Sequence, residues 1–201
     1  MFGSGGSCVT DPSLALFESV VCLLGPVLDK LVFVEGCTTG LFLTDLAAGG
    51  IRPTKDVDAI VEANSYGEYI SLGEKLRALG LAEDTSPGAP LCRWRRDDII
   101  VDIMPMDASV RGFSSGGGDV FASHDIEDIV TVVDGRPEIV EEVAGADAQV
   151  RSFISSEIRS LLDNPDFADA LPGLLPPDAS SQARQRILGE RLRALSGIAP
   201  I

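Results

Sequence analysis

Asp56, Asp58 and Asp102 are the residues of this chain best suited to do chemistry. The first two stand in Arg52-Pro53-Thr54-Lys55-Asp56-Val57-Asp58-Ala59-Ile60-Val61, and the third in Ile99-Ile100-Val101-Asp102-Ile103-Met104. On a strand, residues i and i+2 project to one face, so Asp56 and Asp58 are expected to aim two carboxylates at one point. Val57, Ile60 and Val61 would anchor that strand in a core. Carboxylates so close repel unless a cation lies between them, and a hard, oxygen-seeking ion such as Mg2+ is the natural occupant. Asp102, on a second apolar strand, would complete a cage for one or two divalent metals that serves phosphoryl or nucleotidyl transfer. A D-x-D pair alone also fits a solvent-facing edge strand. Here Arg52 and Lys55, cations suited to phosphate, precede it.

A second segment, Val34-Glu35-Gly36-Cys37-Thr38-Thr39-Gly40, reads as a strand that ends in glycine and opens a helix. Gly36 with the hydroxyls of Thr38 and Thr39 could hold a phosphate at such a turn. Taken alone, the same residues read first as an ordinary strand-to-helix turn with a threonine cap. The spacing is neither that of a P-loop nor that of a dinucleotide fingerprint.

The elements that must position these residues follow from periodicity and punctuation. Residues 12–29 read as an amphipathic helix ending near Gly25-Pro26, Leu31 to Glu35 as a buried strand, and Thr38 to Leu46 as a helix. Lys55 to Glu62 reads as the strand of the aspartate pair, Tyr66 to Leu79 as a helix stopped by Gly80, and Asp84 to Pro90 as a turn cluster. Leu91 to Arg95 and Ile99 to Met104 read as a hairpin turned at Arg96-Asp97-Asp98. Alternation along its first strand sends Trp94 to the core and Arg93 and Arg95 to water. Ala108 to Asp119, with Ser114-Ser115-Gly116-Gly117-Gly118, reads as a linker. Helices are expected over about 124–133, 137–145, 147–163 and 178–196, with a bend at Pro172, Pro176 and Pro177. Ser123-His124-Asp125 with Glu127 and Asp128 fits a helix N-terminus with acids matched to the dipole. The expected fold class is α+β: a small mixed-sheet core over residues 1–110 with flanking helices, then a helical region over 119–201.

Composition bounds the function. The 201 residues are 45% hydrophobic, enough for a real core. A net charge of −15 argues against broad, nonspecific nucleic-acid binding. Cys8, Cys22, Cys37 and Cys92 form no C-x-x-C pair, so reduced thiols are expected and a zinc site is not. The single histidine excludes a His-based metal site. The Gly/Ser-rich start lacks the basic region of a signal peptide, and Glu18, Pro26, Asp29 and Lys30 interrupt the apolar stretch from Leu14 to Leu31. A cytoplasmic protein outside the membrane is expected.

Taken together, Gly36-Cys37, Asp56-Val57-Asp58-Ala59 and Asp102 resemble the motif set of the DNA polymerase β-like nucleotidyltransferase superfamily. Val32 to Asp107 looks closer to its AbiEii/AbiGii toxin-type branch, and Ser123 to Ile129 with Asp134 to Glu138, and Leu171-Pro172-Gly173 with the final helix, look like that group's helical part. The chain departs in having Cys37 for a Gly or Ser and a longer gap between Gly36 and Asp56. It also resembles a form with an internal deletion after about residue 114, and no lysine follows Lys75. The resemblance implies transfer of a nucleoside monophosphate from an NTP to an acceptor, with Mg2+ (one or two ions) on Asp56, Asp58 and Asp102. Gly36, Thr38, Thr39, Arg52 and Lys55 would serve the phosphates. It further implies a toxin-like role, tRNA or protein as acceptor and an antitoxin as partner. The alternative is an impaired or inactive relative that acts as a nucleotide- or protein-binding module.

Overall fold

A computed structural model describes residues 12–45, 47–48, 51–63, 65–106 and 124–197. The linker expected over Ala108 to Asp119, Ser123 and the side chain of His124 lie outside the described residues. The architecture is α+β, and the described residues fall into two compact units. One lies within Met1–Gly40 and Arg52–Gly117, the other within Leu41–Ile51 and Gly118–Ile201. The division expected near residue 110 is therefore interrupted, because the segment 41–51 belongs with the helices.

The first unit is built on a five-stranded mixed sheet of order β1-β2-β5-β4-β3. Helix α1 (Pro12–Leu24) passes through a 3-10 turn at Gly25–Lys30 into β1 (Leu31–Val34). Pro26 sits in the first positions of that turn, where its missing N–H is not needed. Then come α2 (Gly36–Phe42), β2 (Val57–Val61) and α3 (Tyr66–Ala78). The hairpin β4 (Arg93–Arg96) and β5 (Ile99–Pro105) follows β3 (Ala82–Glu83). β1 runs antiparallel to β2, β2 parallel to β5, and β5 antiparallel to β4.

Alternation sorts the faces. Val57, Ala59 and Val61 of β2, Val101 and Ile103 of β5, and Trp94 of β4 are buried in one core. Tyr69, Leu72 and Leu76 of α3 and Val20 and Leu24 of α1 join them. Each fully buried aliphatic side chain there contributes about 1.5–3 kcal/mol. Trp94 lies 3.3 Å from where a Cβ on Gly73 would stand, so a side chain there would push the indole or α3 by a few tenths of an ångström. Tyr69 Oη satisfies itself by donating to Ile103 O at 2.8 Å. Ser65 caps α3, accepting from Glu68 N at 3.2 Å. Asp58 and Asp102 occupy the opposite face of β2 and β5.

The strand of the aspartate pair is shorter than expected. Pairing with β5 begins at Val57, so Lys55 and Asp56 precede β2. Thr54 explains the delay: its hydroxyl donates to Asp56 O and Oδ1, each at 3.1 Å, and holds the chain in a turn. α2 spans Gly36–Phe42 rather than Thr38 to Leu46. The short edge strand β3, with its two residues, lay below what periodicity detects.

The second unit holds α4 (His124–Gly135), α5 (Ile139–Gly145), α6 (Ala148–Asp163), α7 (Pro165–Ala170), α8 (Ala179–Gln182) and α9 (Gln185–Ser196). Its core contains Ile126, Val130, Val133, Ile158, Phe167, Leu188 and Leu192. α7 was not expected; Asn164 caps it, accepting from Asp166 N at 2.9 Å, ahead of Pro165. The single helix expected over 178–196 is broken between α8 and α9. Arg184, at the break, donates from Nε to both carboxylate oxygens of buried Asp134 at 2.9 and 2.8 Å and from Nη2 to Asp45 at 2.7 Å. That charge pairing ties the 41–51 segment to the helices, as do Thr44 N and Asp45 N, which both donate to Gly135 O. No helix among the described residues is long and apolar enough to cross a membrane.

Candidate active site

β2 and β5 bring the aspartates together by register. Asp58 and Asp102 are direct partners in the parallel pair, so their side chains leave the same face side by side. Arg93 is the partner of Asp102 across the β4–β5 hairpin and projects to that face as well. Its guanidinium makes a two-pronged contact with Asp102: Nε to Oδ1 at 2.9 Å and Nη2 to Oδ2 at 2.7 Å. The same Nη2 donates to Asp56 Oδ2 at 2.8 Å. Asp56, although outside the strand, thus joins the cluster through Arg93. These side chains are 23% (Arg93), 33% (Asp56) and 9% (Asp102) exposed, so the pairing is partly withdrawn from water and stronger than a surface ion pair.

One guanidinium does not neutralise the surroundings. Burial, followed by the charges of Glu35, Asp56 and Asp102, pushes the Asp58 carboxyl up to about 7, with Arg93 opposing. Its bonds to Asp102 first, then the nearby carboxylate charges, raise Arg93 against the cost of burial. Glu35, between β1 and α2, adopts φ 64, a left-handed backbone that is uncommon for a residue with a side chain. Glu35 carries no expected site role, and Arg93, expected to face water, instead engages Asp56 and Asp102. Positive φ at a glutamate leaves no trace in sequence. Arg93 was legible only through the exact length of the hairpin turn.

The expected phosphate cradle has a different present role. Thr38 and Thr39 are buried, and their hydroxyls donate to Glu35 O at 2.9 and 3.4 Å; Thr38 N donates there too, at 3.0 Å. These donors hold the strand-to-helix turn, the ordinary structural reading of the motif, and buried Gly36 begins α2 within it. Lys55 is exposed directly ahead of Asp56. Arg52 is half-buried in a loop fastened to α1, where Ser13 Oγ donates to Arg52 O at 3.5 Å and accepts from Thr54 N at 3.1 Å.

Thiol chemistry is disfavoured here. Burial, ahead of smaller effects, pushes the thiols of Cys37 and Cys92 up to about 11, so neither supplies a thiolate near neutral pH. A cavity of about 570 Å3 opens at the other end of the strands, among Lys30, Ile60, Val61, Lys75 and Met106, away from the aspartates.

The donor set suits a hard divalent cation in its chemistry: oxygen ligands, close together, with excess negative charge. Its geometry is not that of a preformed metal cage. Among the described residues no group of three His, Cys, Asp or Glu side chains is arranged to hold a metal ion. Arg93 supplies the physical reason, since it draws Asp56 and Asp102 onto its own nitrogens. No family model matches the chain, and neither a curated protein nor a solved structure is significantly similar to it.

Proposed function

We propose that this chain is a metal-dependent nucleotidyltransferase of the type its sequence motifs resemble. The observation that carries the reading is the register pairing of Asp58 with Asp102 on neighbouring parallel strands, with Asp56 gathered to the same cluster. Asp102, distant in sequence, comes beside Asp58 on one sheet face, and Asp56 joins them through Arg93. An ordinary solvated strand edge would not need Arg93 to hold two of them.

In the proposed reaction an acceptor hydroxyl oxygen bonds to the α-phosphorus of a nucleoside triphosphate, and the bond from that phosphorus to the bridging oxygen breaks. Pyrophosphate leaves with the electron pair. The acceptor proton passes to a carboxylate of the cluster. Asp56, Asp58 and Asp102 would hold Mg2+, which when bound supplies charge neutralisation of the triphosphate. Lys55 and Arg52 offset charge on the departing pyrophosphate. Gly36, Thr38 and Thr39 shape the turn that borders the phosphates. The toxin-like role, the cytoplasmic setting, the tRNA or protein acceptor and the antitoxin partner rest on the family resemblance alone.

One observation favours a second reading, a nucleotide- or protein-binding module without turnover: Arg93 stands where a bridging cation would. Incubation with NTPs labelled at the α-phosphate, Mg2+, total tRNA and cell protein separates the two. Transfer of label that disappears in Asp58→Ala supports the enzyme. Nucleotide binding without any transfer supports the module.

A further inference from the structure

Arg93 donates to two aspartates with a single nitrogen. Nη2 reaches Asp102 Oδ2 at 2.7 Å and Asp56 Oδ2 at 2.8 Å, so those two oxygens already converge on one positive centre. Its backbone is fixed. β4 is paired with β5, and its neighbour Trp94 is 2% exposed in the core. Only the side chain beyond Cβ is free to leave, and its departure need not disturb the sheet. Without the guanidinium, Asp56 and Asp102 would lose the cation they share, with Asp58 beside Asp102 in the register. With it, Asp56 and Asp102 are engaged.

We propose that Arg93 is the resident counter-cation of the carboxylate cluster: it yields Asp56 and Asp102 to an incoming divalent metal, and so sets the threshold for metal binding. This rests on the metal-dependent reading above and names the residue that regulates it. The released guanidinium needs another anion. A triphosphate offers one with pairs of oxygens that arginine's planar fork can take two at a time and lysine cannot. Metal and polyphosphate should therefore bind cooperatively, with Arg93 as the coupling group. Metal alone must win Asp56 and Asp102 from Arg93 unaided, whereas metal arriving with polyphosphate gives the guanidinium somewhere to go.

The test is titration of the full chain with Mn2+ alone, following free Mn2+ by electron paramagnetic resonance, and then with Mn2+ and inorganic tripolyphosphate. Wild type, Arg93→Gln, Arg93→Lys and Asp58→Asn are compared. Removing a competing charge-assisted bond should tighten Mn2+ binding to Arg93→Gln by about tenfold. Arg93→Lys, which lacks the fork, should fall between Arg93→Gln and wild type. Tripolyphosphate should tighten Mn2+ binding to wild type by a larger factor than to Arg93→Gln. Asp58→Asn should weaken binding throughout. If wild type binds Mn2+ and Arg93→Gln binds it equally or more weakly, Arg93 is not the competitor, and the metal-dependent reading survives without it. If no form binds Mn2+, both ideas fall. Should Arg93→Gln not fold, Arg93→Lys decides alone, and an affinity equal to or below that of wild type overturns the proposal.

Discussion

Replacing Asp58 by asparagine should stabilise the sheet unit, and the gain should grow with pH. The Asp58 carboxyl is raised to about 7, burial first and then Glu35, Asp56 and Asp102 being the causes. Between the ordinary carboxylate range and about pH 7, the folded state therefore holds a proton that the unfolded chain has released. The slope of unfolding free energy with pH is negative there, so stability present at low pH is lost as pH climbs through about 7. Three pH units at 1.36 kcal/mol each would be about 4 kcal/mol for a group sealed from water. About two of those units lie between pH 5 and pH 8.5, and Asp58 keeps partial solvent access, which reduces the expected change to about 1–2 kcal/mol. Asparagine has a similar shape and does not ionise. Trp94 is the only tryptophan and lies in the core of this unit, so its fluorescence during urea unfolding reads the relevant transition. The stability of Asp58→Asn minus that of wild type should be about 1–2 kcal/mol larger at pH 8.5 than at pH 5. A difference that is constant, or that shrinks with pH, would refute the crowding of negative charge on which the site rests.

Other consequences concern the helical unit. Arg184→Ala strands the carboxylate of Asp134, which is 2% exposed, and should cost about 3–5 kcal/mol in thermal or denaturant unfolding. Gly135→Ala would place a Cβ 2.6 Å from Leu43 Cδ2 and 3.2 Å from Ala48 Cβ. Circular dichroism melts should register that overpacking as a loss of about 1–3 kcal/mol. Asp147→Ala removes the cap of α6, which accepts from Gln149 N at 2.8 Å, and should cost about 1 kcal/mol by the same measurement.

Much of the first unit was legible because its strands alternate cleanly. Val57, Ala59 and Val61 against Asp58 and Ile60, and Trp94 between Arg93 and Arg95, each announce a face. The convergence of Asp58 with Asp102 follows from two apolar strands that each carry one aspartate on the face opposite the core. Arg93 escaped by a single residue of register. A turn over Arg96-Asp97-Asp98 pairs Cys92 with Asp102, whereas the two-residue turn at Asp97-Asp98 pairs Arg93 with it. Asp97 takes φ 52 in that tight turn, a conformation aspartate tolerates better than most residues. Asp56 was assigned to the strand because periodicity cannot see Thr54 bonding forward and delaying the first ladder pair. In the helical unit, the break at Arg184 was hidden because helix propensity runs on through Ala183 to Gln185. At the break Arg184 makes a long-range charge pairing with Asp134 and Asp45, which no local pattern announces.

The central claim is that three aspartates form a metal-dependent nucleotide site, and calorimetry of NTP binding tests it most directly. Each of the four common NTPs would be titrated into wild type and Asp58→Ala, with Mg2+ and with EDTA. The account predicts binding of at least one NTP that requires Mg2+ and is lost in Asp58→Ala, whose fold is verified by its Trp94 emission. NTP binding that is indifferent to Mg2+ or to Asp58, or no binding of any of the four, would contradict it.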